Sequence, residues 1–252
     1  MSFQIEYIKP KLLNSGRISS WFTLRNQRLA DEIENQKIQG LNLGLNTNED
    51  DSVVHQNRSI LMKDLGLTQN EIVFGNQIHK SDILVAEKAG IYADTDAFVT
   101  KTSGLALAIQ VADCAAVLLG DEENGVIGAA HAGWRGAVDD IVPKVISRMK
   151  EAGAETNFIK VFISPSISQV NFEVGEEVAA QFPKQFVDFE SQSKPHVNLK
   201  AFLKYQLLNS GILSVNIEID EGCTISDENF YSYRRQKDKS GRMMGIIKLE
   251  EI

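Results

Sequence analysis

Residues 105–132, LALAIQVADCAAVLLGDEENGVIGAAHA, contain three short apolar runs in close succession. The runs at residues 105–111, 115–119 and 126–130 are of strand length and are short for an ordinary helix. We therefore predict three buried strands, and these form the centre of the predicted fold.

The rest of the chain alternates strands with helices. Three further strands are predicted, at residues 158–163, 214–219 and 243–249. Apolar residues at three- and four-residue spacing predict helices at residues 51–65, 137–152 and 198–208. In the second of these, Gly153 suits a C-cap, and Pro143 predicts a kink or a later start. Loops are predicted at residues 26–50 and 187–195.

The elements do not follow a regular βαβ rhythm, which favours an α/β (α+β) class with a mixed sheet over a doubly wound fold. No linker, repeat or low-complexity tract divides the chain. We therefore expect a single domain over residues 1–252.

Composition excludes several classes of protein. The chain has 252 residues, with 26 Lys and Arg against 34 Asp and Glu, so its net charge of −8 argues against a nucleic-acid binder. No apolar run approaches the roughly 20 residues that span a membrane, and the N-terminus lacks a signal-peptide pattern. Two cysteines are too few for a disulfide framework and suit a reducing compartment, so we expect a cytoplasmic protein.

Three side chains form a candidate zinc-ligand set: His79, Cys114 and His131, all at or near predicted strand ends. Zinc accepts nitrogen and sulfur donors, and a catalytic site with three protein ligands leaves one position open. The spacing matches no local zinc motif, so residue type leaves a structural interpretation open, with a small buried Cys and hydrogen-bonded His. His55 and His196 are predicted to be exposed.

Arginines form a second candidate site. Arg234, Arg235 and Arg242 lie close together near the C-terminus, and Arg135 precedes a predicted helix. Guanidinium groups bind phosphate or carboxylate, although a solvated surface run is an equal alternative. Asp94 and Asp96 are candidates for orienting a ligand hydroxyl or a zinc-bound water, or are simply turn residues.

Seven motifs then occur in a fixed order: QIH (77–79), ADC (112–114), HAGWRG (131–136), FEVG (172–175), CT (223–224), FYSYRR (230–235) and SGRM (240–243). Together they resemble the bacterial laccase-domain family, also called the multicopper polyphenol oxidoreductase family. The resemblance runs from about Arg25 to the C-terminus. HAGWRG and SYRR are its most specific segments.

The resemblance implies a single domain with α/β/β/α layers and one zinc ion per chain. It assigns the zinc ligands to His79, Cys114 and His131. By position, Arg25 of FTLR (22–25) is expected to join a phosphate pocket. By residue type, Asp113 is expected to orient a ligand imidazole.

The resemblance also implies an activity, zinc-dependent purine nucleoside phosphorolysis. Inorganic phosphate attacks ribose C1′ of adenosine, inosine, guanosine or methylthioadenosine, and the free base and ribose-1-phosphate result. Adenosine deamination is an expected side activity. The expected phosphate-binding residues are Arg25, Arg135, Arg234, Arg235 and Arg242.

Other functions stay open at this point. A polyphenol oxidase with copper is less expected, because a multicopper site needs more than four histidines supply. A metal-free hydrolase would use Cys114 activated by His131. Editing of peptidoglycan precursors is a further alternative. A non-enzymatic regulator would have no need of an open metal position. The preferred base and the oligomeric state are not predicted.

Overall fold

Two six-stranded sheets dominate the computed structural model, which describes residues 5–26 and 36–251. The strands are β1 (Tyr7–Ile8), β2 (Ile18–Thr23), β3 (Ile72–Gly75), β4 (Ile83–Val85), β5 (Gly90–Tyr92), β6 (Ala97–Thr100), β7 (Ala106–Val111), β8 (Ala115–Asp121), β9 (Val126–Ala132), β10 (Ile159–Ile163), β11 (Val187–Asp188), β12 (His196–Val197), β13 (Ile217–Ile219) and β14 (Met243–Leu249). The helices are α1 (Asp51–Asp64), α2 (Trp134–Val138), α3 (Ile141–Glu151), α4 (Glu176–Ala179), α5 (Leu199–Asn209) and α6 (Tyr233–Gln236).

Both large sheets are mixed. The first has the strand order β1-β2-β14-β7-β3-β5, in which β14 is antiparallel to β2 and β7 while β3 is parallel to β7 and β5. The second has the order β13-β10-β8-β9-β6-β4, with an antiparallel β8–β9 pair at its centre. Strands β11 and β12 form a separate small ribbon. The predicted mixed-sheet α/β class is confirmed.

Side-chain alternation along the strands builds three apolar layers. On β8, Ala116 and Leu118 face the other sheet, whereas Val117 and Leu119 face the helices. We call the layer between the sheets the inter-sheet layer; it also contains Phe22, Leu107, Ala129, Phe162 and Ile247. Helix α1 covers the outside of the first sheet, and α3 and α5 cover the outside of the second. The order of layers is therefore α/β/β/α, as the resemblance implies.

The predicted strands agree best where the apolar runs are continuous. Strand β14 has the predicted bounds, and β7 begins one residue late. Strand β9 continues two residues beyond its predicted end and so includes His131. In the predicted strand at residues 214–219, only Ile217–Ile219 is extended, because a 3₁₀ turn occupies Ser214–Asn216.

The later start that Pro143 predicts for the helix at residues 137–152 is confirmed, because α3 begins at Ile141, and a separate short helix, α2, precedes it. Helix α2 ends at Val138, and Asp140 adopts the left-handed conformation with φ of 56° before α3 begins. Pro143 is the third residue of α3, where its missing N–H costs nothing, since first-turn amides have no intrahelical acceptor. Gly153 follows the end of α3 with φ of 108°, as its C-cap assignment predicts.

The two exposed-histidine predictions have opposite outcomes. His55 is exposed on α1, as expected. His196 is buried, with 6% of its surface exposed, so that prediction is wrong. The loop predicted at residues 187–195 is shorter than expected, because β11 and β12 pair across it, and this pairing draws His196 inward. Its ring Nδ1 lies 2.9 Å from the carbonyl oxygen of Lys194.

Part of the chain lies outside this description. Residues 27–35 of the predicted 26–50 loop are outside the described residues, and residues 36–50 contain neither helix nor strand. The predicted single domain over 1–252 likewise includes residues 1–4, 27–35 and 252, which are not described. Within residues 5–26 and 36–251, each helix is too short or too polar to cross a bilayer.

The close packing between the two sheets can be tested with a substitution at their contact. A Cβ atom added to Gly245 of β14 would lie 2.8 Å from the Cβ atom of Ala116 on β8. We expect Gly245→Ala to lower the free energy of unfolding by about 1–3 kcal/mol, because neither strand can move without disturbing its sheet. Urea unfolding measures the change.

The double variant Gly245→Ala/Ala116→Gly is the matched control, since it exchanges the two side chains across the same contact. It should recover most of the lost stability. Equal destabilisation of the single and double variants would contradict the close approach of the two sheets.

Candidate metal centre

Strand alternation carries two of the candidate ligands to one place. Cys114 immediately precedes β8 and packs against the inter-sheet layer, as do Ala116 and Leu118 on the same strand face. His131 follows Ile127 and Ala129 on the equivalent face of β9. Ala116 pairs with His131 in the β8–β9 ladder, so both ligands lie at one end of this layer.

A buried carboxylate, Asp96, brings in the third ligand. Its two oxygens accept hydrogen bonds from the backbone N–H groups of Ile78, His79 and Lys80, each at 3.0 Å. They hold His79 in the left-handed conformation with φ of 61°, which is uncommon for a residue with a side chain. Oδ1 of Asp96 also lies 2.7 Å from Nδ1 of His131. Asp96 therefore orients both histidines, one through its backbone and one through its ring.

The donor set fits a zinc ion. The ligand atoms of His79, Cys114 and His131 all lie within 4.8 Å of one another, and the two imidazole centroids are 4.7 Å apart. Tetrahedral zinc holds such donors about 3.3–3.8 Å apart, so small side-chain movements close the set. Because Asp96 occupies Nδ1 of His131, Nε2 is the atom left to bind metal, as in carboxylate–histidine–zinc sites.

Electrostatics place the thiol of Cys114 in the form that binds metal. Burial raises the pKa of this thiol, but His131 and His79 lower it by more than burial raises it, so the pKa is about 6. For His131, burial lowers the pKa, while the Cys114 thiolate and Asp96 raise it to about 9. These opposite shifts favour a thiolate beside an imidazolium, and a metal ion bound by this pair would displace the proton of the imidazolium.

A cleft of about 700 Å³ crosses the ends of the apolar layers. The three ligands lie in its middle. Its polar end is lined by Asn46, Thr47, Gln77, Gln110 and Arg242, and its apolar end by Trp134, Ile167, Phe172 and Leu199. The apolar end borders the layer between the second sheet and its helices, in which Ile167, Phe172 and Leu199 are buried.

Three of the five candidate arginines line this cleft. Arg135 is exposed, with its guanidinium carbon 4.4 Å from the Trp134 ring centroid. Arg234 lies 5.5 Å from the Phe172 ring centroid and donates to the carbonyl of Glu173. Arg242 lies at the polar end, where its guanidinium donates to the carbonyls of Ser240, Gly241 and Asn46 and burial lowers its pKa.

The other two arginines do not line the cleft. Arg235 donates to the carbonyl oxygens of Thr224, Ile225, Asp227 and Phe230, so its guanidinium holds this loop in place. Arg25 donates to the carbonyl of Gln39 and lies 5.6 Å from the ring centroid of Tyr231. Sequence motifs placed these residues near the site, but their side chains turn toward backbone acceptors instead.

Asp113 is expected to orient a ligand imidazole, but its hydrogen bonds join it to a hydroxyl group and a backbone N–H. Its Oδ1 accepts from the hydroxyl of Thr224 and its Oδ2 from the backbone N–H of Arg234, each at 2.7 Å. It therefore positions Arg234 at the cleft, and Asp96 takes the role of orienting an imidazole. The sequence indicates Asp96 only as a group that orients a ligand hydroxyl or a zinc-bound water, or as a turn residue, because nothing in the spacing pairs it with His131, 35 residues away.

Comparison with known proteins agrees with this geometry. A family model described as multi-copper polyphenol oxidoreductase laccase matches residues 20–250. The chain belongs to this family. The resemblance given by its motifs is thereby confirmed.

Proteins that are similar to this chain in sequence or in structure have been given different names. A purine nucleoside phosphorylase of Corynebacterium glutamicum is 37% identical over 214 residues, covering 82% of this chain and 85% of that protein. Adenosine deaminase RL5, from an unknown prokaryotic organism, is 30% identical over 221 residues, covering 81% and 84%. The crystal structure of YlmD from Geobacillus stearothermophilus aligns with a TM-score of 0.85 at 25% identity, covering 99% of each chain.

The contacts of Asp96 generate a prediction about metal affinity. Asp96→Asn should weaken zinc binding about 10–100-fold, because an amide cannot accept all four hydrogen bonds and leaves His131 unoriented. Equilibrium dialysis against zinc measures the affinity, and circular dichroism verifies the fold. The control is Asp94→Asn, a neighbouring exposed carboxylate, which should leave the affinity unchanged. Equal zinc affinity in both variants would contradict the assigned role of Asp96.

Proposed function

We propose that the protein is a zinc-dependent purine nucleoside phosphorylase with an adenosine deaminase side activity. The observation that carries the proposal is the convergence of His79, Cys114 and His131 inside a cleft lined by arginines. The names of the relatives from Corynebacterium glutamicum and the unknown prokaryote support both activities. Adenosine, inosine, guanosine and methylthioadenosine are the proposed substrates, and the cytoplasm is the proposed location.

The donor set favours zinc over a multicopper centre. All four histidines lie among the described residues, and two of them join the ligand group. His55 is exposed on α1, and the ring of His196 bonds to the carbonyl of Lys194. One thiolate and two imidazoles suit a single zinc with an open position, whereas a copper cluster requires more imidazoles.

Each part of the cleft has a role in the proposed reaction. A phosphate oxygen forms a bond to ribose C1′, the bond from C1′ to the purine nitrogen breaks, and the purine leaves with that electron pair and gains a proton from solvent. When bound, zinc supplies Lewis acidity and an open coordination position. Arg242 supplies positive charge beside the anionic substrate, and Arg135 and Arg234 supply it beside the purine, where negative charge develops as the base leaves.

The apolar end of the cleft suits the purine. Trp134 and Phe172 contribute aromatic rings to its lining, and Ile167 and Leu199 contribute aliphatic side chains. Stacking of an aromatic base on such rings is worth about 1–3 kcal/mol per base. The guanidinium groups of Arg135 and Arg234 lie over the same two rings, so they border this subsite as well.

Product analysis tests the proposed activity directly. The purified protein, incubated with adenosine and inorganic phosphate, should release adenine and ribose-1-phosphate, with a smaller yield of inosine and ammonia. Chromatography resolves these products. Inosine as the sole product would replace phosphorylase with deaminase as the main activity. No turnover of any of the four nucleosides would contradict the proposal.

Removal of the sulfur ligand tests the role of the metal. Cys114→Ala should lose zinc, measured by elemental analysis, and lower nucleoside turnover by at least about 100-fold, since two imidazoles alone hold zinc weakly. Cys223→Ser is the matched control, because Cys223 is the other free thiol and lies outside the ligand group. Full turnover by Cys114→Ala would exclude a metal-dependent mechanism at this site.

A further inference from the structure

Arg58 is a buried cation beside the polar end of the cleft. Only 4% of its surface is exposed, and no carboxylate within residues 5–26 and 36–251 forms an ion pair with it. Its Nε donates to the carbonyl of Leu43 at 2.9 Å, and its guanidinium carbon lies 4.5 Å from the Phe74 ring centroid. Burial lowers its pKa to about 10, which leaves it charged at neutral pH. A buried charge without a counter-ion is costly, so its role needs an explanation.

The remaining partner of Arg58 is the carboxamide of Gln110. Nη2 of Arg58 lies 3.2 Å from Oε1 of Gln110, and Nε2 of Gln110 lies 3.4 Å from the carbonyl oxygen of Gly75. A guanidinium can only donate and a carbonyl can only accept, so both neighbours impose the same orientation on the amide. Gln110 is half-buried and lines the cleft.

The side-chain amide of Gln110 has one N–H that forms no hydrogen bond with the described residues. In the described part of the chain, the Gly75 carbonyl is the one acceptor of Nε2, although an amide nitrogen carries two hydrogens. The backbone of Gln110 is also fixed, because the Gln77 side chain bonds to both its N–H and its carbonyl at 2.8 Å. Arg58 engages Oε1 of Gln110 and the Gly75 carbonyl engages one hydrogen of Nε2, so the amide is held in one orientation with its second N–H available as a donor.

Arg242 lies beside Gln110 at the cleft. In the β7–β14 ladder Met244 pairs with Gln110, and Arg242 immediately precedes β14. Arg242 lines the same polar end. The guanidinium of Arg242 donates to the carbonyls of Ser240, Gly241 and Asn46, so it contributes positive charge to this end of the cleft. That charge, the charge of Arg58 and the oriented amide of Gln110 together favour an anion.

We infer that Gln110 is a specificity-determining residue that donates to inorganic phosphate at the polar end of the cleft. Arg58 is a positioning residue that holds the Gln110 carboxamide in the donating orientation. The inference rests on the proposed function for the identity of the anion. It separates the phosphate end, with Gln110 and Arg242, from the purine end, which Arg135 and Arg234 border.

Gln110→Glu tests the inference, because it preserves the side-chain shape and gains an ion pair with Arg58 while placing a negative charge where phosphate binds. The dissociation constant of inorganic phosphate, measured calorimetrically on the zinc-loaded protein, should rise at least about tenfold, as expected for loss of a hydrogen bond to a charged group. The KM for phosphate should rise in parallel. Adenosine deamination, which uses no phosphate, should fall by a smaller factor than phosphorolysis does.

The matched control is Gln56→Glu, which adds the same charge to the exposed face of α1 and should leave phosphate binding unchanged. Unchanged phosphate binding in Gln110→Glu would overturn the inference. The binding measurement separates the two proposals, since phosphate binding that depends on Gln110 in a protein without phosphorolysis would contradict the proposed function alone.

Two substitutions, one that removes the charge and one that keeps it, test the positioning role of Arg58. Arg58→Met should raise the KM for phosphate and leave the KM for adenosine in deamination unchanged, and Arg58→Lys should recover part of the phosphate affinity. Loss of affinity for both substrates together would assign Arg58 a purely structural role. Should Arg58→Met fail to fold, Arg58→Lys and Gln110→Glu still decide the question.

Discussion

The site depends on one carboxylate that is fully buried and fully hydrogen-bonded. Asp96 receives three backbone N–H groups from residues 78–80 and the ring of His131. Burial raises its pKa, but the bonds from His131 and from the backbone outweigh this, so its pKa is lowered. A buried charge is tolerable when its acceptor positions are filled, and filling them fixes the loop of His79 and the ring of His131 together. Two ligands from distant parts of the chain therefore meet at one anchor.

The layered fold explains why a polar site forms at this point. The inter-sheet layer is apolar along the strands, and at its end the same strand faces present Cys114 and His131 in place of alanine and leucine. The cleft crosses all three layers at this edge, which gives it an apolar end, a metal-ligating middle and a polar end. Rigid strands thereby hold groups of different chemistry at fixed separations, as the proposed two-substrate reaction would require.

Sequence patterns predicted those parts of the molecule whose signals are local. The apolar runs of β7, β8, β9 and β14 gave their strands within one or two residues, because these strands are buried on both faces. The two- and three-residue strands β4, β5, β11 and β12 are too short for a detectable period, and pairing across β11 and β12 buried His196. The break at Asp140 was missed because apolar spacing continues across it.

Part of the site depends on contacts between residues that are far apart in the sequence, and these contacts could not be predicted. Motif order and residue type identified His79, Cys114 and His131, whose convergence the structure provides. They did not identify Asp96 as the anchor, or the engagement of Arg235 with four carbonyls, because both depend on loop conformation. X-ray absorption at the zinc edge tests most directly whether the three side chains share an ion. We predict four-coordinate zinc with one sulfur scatterer and two imidazoles, and a spectrum without sulfur or with oxygen ligands alone would contradict this account.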